Sequence, residues 1–261
     1  MTLSTAELPR ASAVAARLEV LERTGSTNAD LVAGIGADAA QWPHLAVVVT
    51  DDQTAGRGRL GRSWTAPPGA SLAISVALDV SALPPTAIGW IPLLAGVAMA
   101  DAVAAQLEGH GVRVKWPNDV LVDGLKICGI LAEAVPDVGV VVLGAGVNTA
   151  MVQADLPVPT AVSFAAIGRD ADVDRLLADY LTGVRDLFAA LVAAGGDAEA
   201  AGVRAAVADH CATLGSRVRV SLPGGGILDG VAERLGAGGE LIVRTADGET
   251  AVSAGDVVHV R

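Results

Sequence analysis

A chain of 261 residues has room for one large domain, alone or with a small companion, and a hydrophobic content of 52% argues against extended disorder. A net charge of −11 excludes the overall positive field that a general nucleic-acid binder needs. Cys128 and Cys211 have neither metal-ligand spacing nor a disulfide framework, and the first thirty residues lack a basic start followed by an apolar run. They read as reduced, partly buried thiols of a cytoplasmic protein. With aromatics at 3%, the core must be built from Ala, Val, Leu and Ile.

In chain order, residues 1–23 read as a short lead-in. Gly25-Ser26-Thr27-Asn28-Ala29-Asp30 offers capping side chains at a helix start. Leu45 to Thr50 and Ser71 to Val80 read as strands flanking a Gly/Arg loop. Pro85 to Leu107 is long and apolar, but Pro92, Asp101 and Gln106 favour a buried helix over a membrane span. Further strands are predicted at Val112 to Lys115, Leu125 to Ala134 and Gly139 to Leu143. Amphipathic helices are predicted over about Asp172 to Ala194 and Ala198 to His210. Beyond Leu214 the texture changes to short strands, Ser216 to Leu222, Gly230 to Leu235, Glu240 to Thr245, Glu249 to Ser253 and Val257 to Val260, separated by glycine-rich turns. That pattern suggests a small β-barrel.

Residue scarcity points to one region. Only two of the 18 basic residues are lysines, Lys115 and Lys126, and only three asparagines occur, Asn28, Asn118 and Asn148. Both lysines and Asn118 fall within twelve consecutive positions. Ammonium and amide groups make contacts that Arg and Gln do not copy, so the clustering marks a site.

The central motif is GRGRLGRSW, Gly56 to Trp64. Gly56, Gly58 and Gly61 formally match a dinucleotide-binding fingerprint, but Pro67-Pro68-Gly69 cannot open the helix which that fold requires. The alternative is a loop that closes its backbone over a ligand while Arg57, Arg59 and Arg62 neutralise an anion and Trp64 offers a flat face to a base. KWPNDV (Lys115 to Val120) presents Asn118 and Asp119 at a Pro-fixed turn, which alone fits an ordinary connection between strands. KICGIL (Lys126 to Leu131) reads as a strand aiming an ammonium at the site. GAGVN (Gly144 to Asn148) reads either as a close-approach backbone ending in an amide or as a glycine-rich turn. No P-loop, metal-binding His/Cys cluster or GxSxG motif occurs.

Taken together and in this order, GSTN, GRGRLGRSW, KWPND, KICGIL and GAGVN resemble the biotin protein ligase family. The resemblance implies an α+β fold, with a class II aminoacyl-tRNA synthetase-like catalytic domain of mixed β-sheet and helices over residues 1–213. A small SH3-like β-barrel would follow over 214–261. It implies ATP and Mg2+ as cosubstrate and ion, biotin as substrate, and a biotin carboxyl carrier domain of biotin-dependent carboxylases as acceptor. Carried over by motif, Lys126 and Arg57 are the expected catalytic residues. Ser26, Thr27, Asn28, Gln53, Gly56, Arg57, Gly58, Arg59 and Lys126 would contact biotin. Arg59, Arg62, Trp64, Lys115, Asn118, Asp119 and Asn148 would contact the nucleotide. The resemblance identifies no metal ligands. Cys128, and Val162 within Ala161-Val162-Ser163, depart from the family pattern. A lipoate ligase shares the fold, but GRGRLGRSW favours biotin. About 24 residues before GSTN are too few for a repressor's winged helix and the net acidity points the same way, so no nucleic-acid partner is expected; nor is a membrane, and the chain is expected to be a monomer or weak homodimer. The glycine-arginine loop is expected to be mobile when empty.

Overall fold

The computed structural model describes residues 3–223 and 225–260. Its elements in chain order begin with α1 (Pro9–Val14), β1 (Arg17–Val20), α2 (Thr27–Ala37), β2 (Ala46–Thr50), β3 (Gly56–Arg57), β4 (Ser63–Trp64) and β5 (Ser71–Asp79). There follow α3 (Ile91–Ala104), β6 (Val112–Lys115), β7 (Asp119–Val122), β8 (Leu125–Val135), β9 (Val140–Asn148), α4 (Val173–Ala193) and α5 (Val203–His210). Strands β10 (Arg217–Ser221), β11 (Ile227–Leu235), β12 (Leu241–Thr245), β13 (Gly248–Val252) and β14 (Asp256–His259) complete the described chain.

A seven-stranded sheet runs β1-β2-β5-β9-β8-β7-β6, parallel between β1 and β2 and antiparallel elsewhere. Helices cover both faces, which is why β2 and β5 are near-continuous apolar runs rather than alternating ones. Successive side chains point to opposite faces. Ala46 and Val48 therefore meet Leu31 and Ile35 of α2, while Val47 and Val49 join the larger core with α3 and α4.

The apolar segment Pro85–Ala104 is long enough to cross a membrane, yet 72% of its most hydropathic window is buried inside the fold. Pro92 sits in the first turn of α3, where its missing N–H costs no helical bond. Helix α4 buries Leu177, Tyr180, Leu181, Val184 and Phe188 along one stripe. Gly183 lets α4 approach α3: a Cβ there would lie 2.9 Å from the Ala98 Cβ.

Two readings are sharpened. The lead-in is structured: Leu8 and Ala11 are fully buried, the Ala11 N–H donates to Asp174 (3.0 Å), and β1 pairs with β2. Of the two readings of GAGVN the close-approach backbone holds and the turn does not, because β9 continues through Asn148 and pairs with both β5 and β8.

The last five strands form an antiparallel sheet ordered β13-β12-β11-β10-β14. Val218 and Val220 point inward and Arg217 and Arg219 outward, the alternation of a sheet buried on one face. Two buried tryptophans fasten this unit to the larger sheet. Nε1 of Trp90 donates to the Ala237 carbonyl (2.8 Å) and Nε1 of Trp116 to the Gly239 carbonyl (3.0 Å). The fold is thus a mixed sheet with helices followed by a small antiparallel barrel-like unit, as the sequence led one to expect.

Candidate active site

The floor of the site is the N-terminus of α2. Ser26 caps it by accepting from the Ala29 N–H (3.4 Å), and the Thr27 N–H donates to Gln53 Oε1 (2.9 Å). Asn28 is held from three sides. Its Nδ2 donates to Glu133 (2.7 Å) and to the Leu131 carbonyl (3.3 Å), and its Oδ1 accepts from the Ser75 hydroxyl. Ser26, Thr27, Asn28 and Ser75 are all buried, so these bonds offset the cost of desolvating them. Ser75 and Glu133 escaped the sequence reading. Each left a signal, the first a hydroxyl inside the buried run Leu72 to Leu78, the second a carboxylate inside the apolar strand β8.

The glycine-arginine motif folds as a hairpin. Gly56 pairs with Trp64 and Arg57 with Ser63, closed by a tight turn in which Leu60 and Gly61 both have positive φ (56° and 72°). No helix follows, consistent with rejection of the dinucleotide fingerprint. A Cβ on Gly56 would lie 2.6 Å from the Trp64 carbonyl and collide with Gln53, so this close pairing requires glycine. The Trp64 indole lies in a slot left by two more glycines. A Cβ on Gly146 would reach its ring at 2.7 Å and one on Gly129 at 3.4 Å, while Lys126 Nζ stands 5.9 Å from the ring centroid. That explains GAGVN and KICGIL: their glycines are flat strand floor.

Charge gathers at the mouth. Lys126 Nζ meets Asp119 at 2.6 Å, and Arg59 donates to Asn118 Oδ1 (2.9 Å) and to the Gly255 carbonyl (3.4 Å). Arg62 pairs with Asp256, and Arg57 stands 3.8 Å from Glu133. Burial pulls the Lys115 ammonium below its ordinary pKa, with Asp119 opposing and Lys126 and Arg62 reinforcing the shift. Burial likewise lowers Arg59, against the attraction of Asp119. Five cations face three carboxylates, a positive excess suited to a polyphosphate.

A cavity of about 130 Å³ brings together Ser26, Thr27, Asn28, Gln53, Arg57, Gly58, Arg59, Arg62, Trp64, Asn118, Asp119 and Lys126. Three sequence candidates stand off its wall. Gly56 backs Gln53, and Lys115 lies beside Asp119. Asn148 is buried, with Nδ2 on the Val162 carbonyl (2.9 Å) and Oδ1 unpartnered among the described residues. Ile74, Ile130, Leu131, Ala145 and Asp256 also lie on the wall without having been named as site candidates. Cys128 is a neutral core thiol whose pKa burial pushes up to about 12. Around Val162, backbone bonds of Lys126 to Thr160 (2.7 Å) and Val162 (2.9 Å) brace the lysine's strand. Among the described residues no group of three or more His, Cys, Asp or Glu could hold a metal ion.

Fold and site place the chain in a recognisable class. Residues 20–148 match the Biotin/lipoate A/B protein ligase family, and residues 213–260 match the biotin protein ligase C terminal domain. The biotin–acetyl-CoA-carboxylase ligase of Mycobacterium tuberculosis is 39% identical over 251 residues, covering 94% of this chain and 90% of that protein. Among solved structures, biotin protein ligase from Aquifex aeolicus in complex with biotin and ATP shares the fold at a TM-score of 0.77 and 23% identity, covering 94% of this chain and 99% of that one. The Leishmania major enzyme in complex with biotinyl-5-AMP does so at 0.60 and 24%, covering 92% and 99%. The chain belongs to the biotin protein ligase family.

Proposed function

We propose that this pocket performs both half-reactions of biotin protein ligation. The protein is an ATP-dependent ligase that activates biotin as biotinyl-5'-AMP and transfers it to a lysine of a biotin carboxyl carrier domain. In the first step a biotin carboxylate oxygen bonds to the α-phosphorus, the bond to the bridging oxygen of the β-phosphate breaks, and pyrophosphate leaves. In the second the acceptor lysine's ε-amine bonds to the acyl carbon, the acyl–oxygen bond breaks, and AMP leaves as the amine loses a proton.

One observation carries the assignment of ends: the cavity has an uncharged, hydrogen-bonding floor and a cationic mouth. The floor of Ser26, Thr27, Asn28 and Gln53 suits a ureido group, which both donates and accepts. Gly56 shapes it by backing Gln53. Lys126 and Arg57 are the catalytic pair, poised to neutralise the carboxylate and the developing phosphoryl charge, with Gly58 and Arg59 over them. Arg59, Arg62, Trp64, Lys115, Asn118, Asp119 and Asn148 form the nucleotide side. Magnesium would arrive with the triphosphate and supply charge neutralisation there. Of the two carboxylates on the wall, Asp119 and Asp256, the proposal gives the ion to Asp119, beside Lys115 and Lys126, in keeping with that ion's use of one or two carboxylates plus phosphates.

The same proposal places the boundary between catalytic domain and C-terminal barrel at residues 213 and 214. It has the chain acting as a monomer or weak homodimer in the cytoplasm, without nucleic acid or membrane. Incubation with ATP, magnesium and biotin tests the function: protein-bound biotinyl-AMP should appear by mass spectrometry. Pyrophosphate release with lipoate alone would overturn it.

A further inference from the structure

Among the described residues the C-terminal sheet contributes one side chain to the pocket wall, Asp256. It opens the edge strand β14, opposite Ser221 of β10. The backbone just before it hugs β10 so closely that a Cβ on Gly255 would lie 2.8 Å from Val220 Cγ1 and 3.0 Å from the Ser221 carbonyl. This close approach sets two acceptors against the tip of the glycine-arginine hairpin. The Gly255 carbonyl accepts from Arg59 (3.4 Å) and the Asp256 carboxylate pairs with Arg62.

The two sides of this contact are fastened very differently. The barrel is already docked through the buried Trp90 and Trp116 bonds to the Ala237 and Gly239 carbonyls, so it does not need Arg62. The hairpin is anchored at its base by the Ala55 N–H on the Gly25 carbonyl (2.7 Å) and by Trp64 in its glycine slot. Beyond that its tip touches the body of the protein through Arg59 and Arg62, and Leu60 between them is 56% exposed. The ion pair therefore acts on the loop, not on the barrel.

We propose that Asp256 is a positioning residue for adenylation: with the Gly255 carbonyl it holds the hairpin tip over the pocket, so that the guanidinium groups meet the phosphates in a prearranged geometry. This rests on the reading that the pocket takes ATP. Asp256→Asn is the perturbing variant and Asp256→Glu, which keeps the charge, the conservative one.

Two measurements test it. In ligand-free protein, trypsin should cleave after Arg57, Arg59 and Arg62 when the hairpin tip is released. Asp256→Asn should speed cleavage at these bonds about two- to fivefold, the range set by one exposed ion pair, with the thermal midpoint unchanged and Asp256→Glu close to the parent. In the pyrophosphate-release assay Asp256→Asn should raise the KM for ATP by a similar factor, leave kcat within about twofold, and add nothing in an Arg62→Gln background. Equal loop cleavage in parent and Asp256→Asn overturns the proposal whether or not the chain consumes ATP. A KM that is unchanged, lowered, or shifted equally in both backgrounds also overturns it. A parent chain that releases no pyrophosphate overturns the ATP reading beneath and the positioning role with it.

Discussion

Gly144 and Gly146 stand two residues apart on the same face of β9, yet alanine at each should act through a different quantity. At Gly144 the added methyl meets the Asn28 amide, 2.8 Å from Nδ2 and 2.9 Å from Cγ. Asn28 cannot swing aside without breaking its bonds to Ser75, Glu133 and Leu131. Overpacking of this kind costs about 1–3 kcal/mol, and one weakened hydrogen bond about another 1 kcal/mol. Replacing glycine in a strand interior returns about 0.5–1 kcal/mol. The net loss of about 1–3 kcal/mol corresponds to a midpoint lowered by roughly 3–10 °C. At Gly146 the methyl meets the Trp64 indole at 2.7 Å, but Trp64 rides on a hairpin that can move outward. Stability should stay within about 0.5 kcal/mol of the parent. Activity should fall on the order of tenfold to a hundredfold, because the wall formed by Trp64 is displaced from the reacting groups. Thermal denaturation by circular dichroism and pyrophosphate release separate the two effects. An unchanged midpoint for Gly144→Ala, or full activity in Gly146→Ala, would refute the packing argument.

Lys126→Ala should abolish adenylate formation while the circular dichroism spectrum and thermal midpoint stay near those of the parent; unchanged turnover would remove the lysine from its assigned role. Trp116→Phe keeps the buried ring but leaves the Gly239 carbonyl without its donor, and should cost about 1–2 kcal/mol in thermal denaturation. Cys128 should resist iodoacetamide at pH 8.5 in the native protein and react after unfolding, as read by peptide mass. Its pKa is raised on folding, from 9.0 to about 12, so the stability from burying the neutral thiol is complete below pH 9 and is lost as pH rises toward 12. Alkaline denaturation of Cys128→Ala should accordingly be shallower over that window.

What could be read in the sequence was local. GRGRLGRSW announced a cationic loop because its glycines and arginines are adjacent, and the C-terminal strands showed themselves through close spacing and glycine turns. The groups that escaped are those whose partners lie far along the chain. Ser75 reaches Asn28 across 47 residues, Glu133 across 105, and Asp256 reaches Arg62 across 194. No periodicity encodes such pairings. Gly144 and Gly146 left two readings open for a related reason. Glycine alone in a sequence suggests a turn, whereas here it marks a strand against which a side chain from elsewhere must lie flat.

The three asparagines explain why this amide was retained in a chain that otherwise uses it so little. Each donates Nδ2–H to an acceptor on the protein, Asn28 to Glu133, Asn118 to the Ile130 carbonyl (2.7 Å) and Asn148 to the Val162 carbonyl. Asn118 shows the consequence most fully. While Nδ2 grips β8, its Oδ1 accepts from Arg59, so one side chain ties the hairpin's guanidinium to the strand that carries Lys126. Aspartate would set two acceptors against the Ile130 carbonyl, and lysine would offer no acceptor to Arg59. Only a planar group that donates on one side and accepts on the other can couple the loop to the lysine, and that requirement ties the scarce residues to the mouth of the pocket.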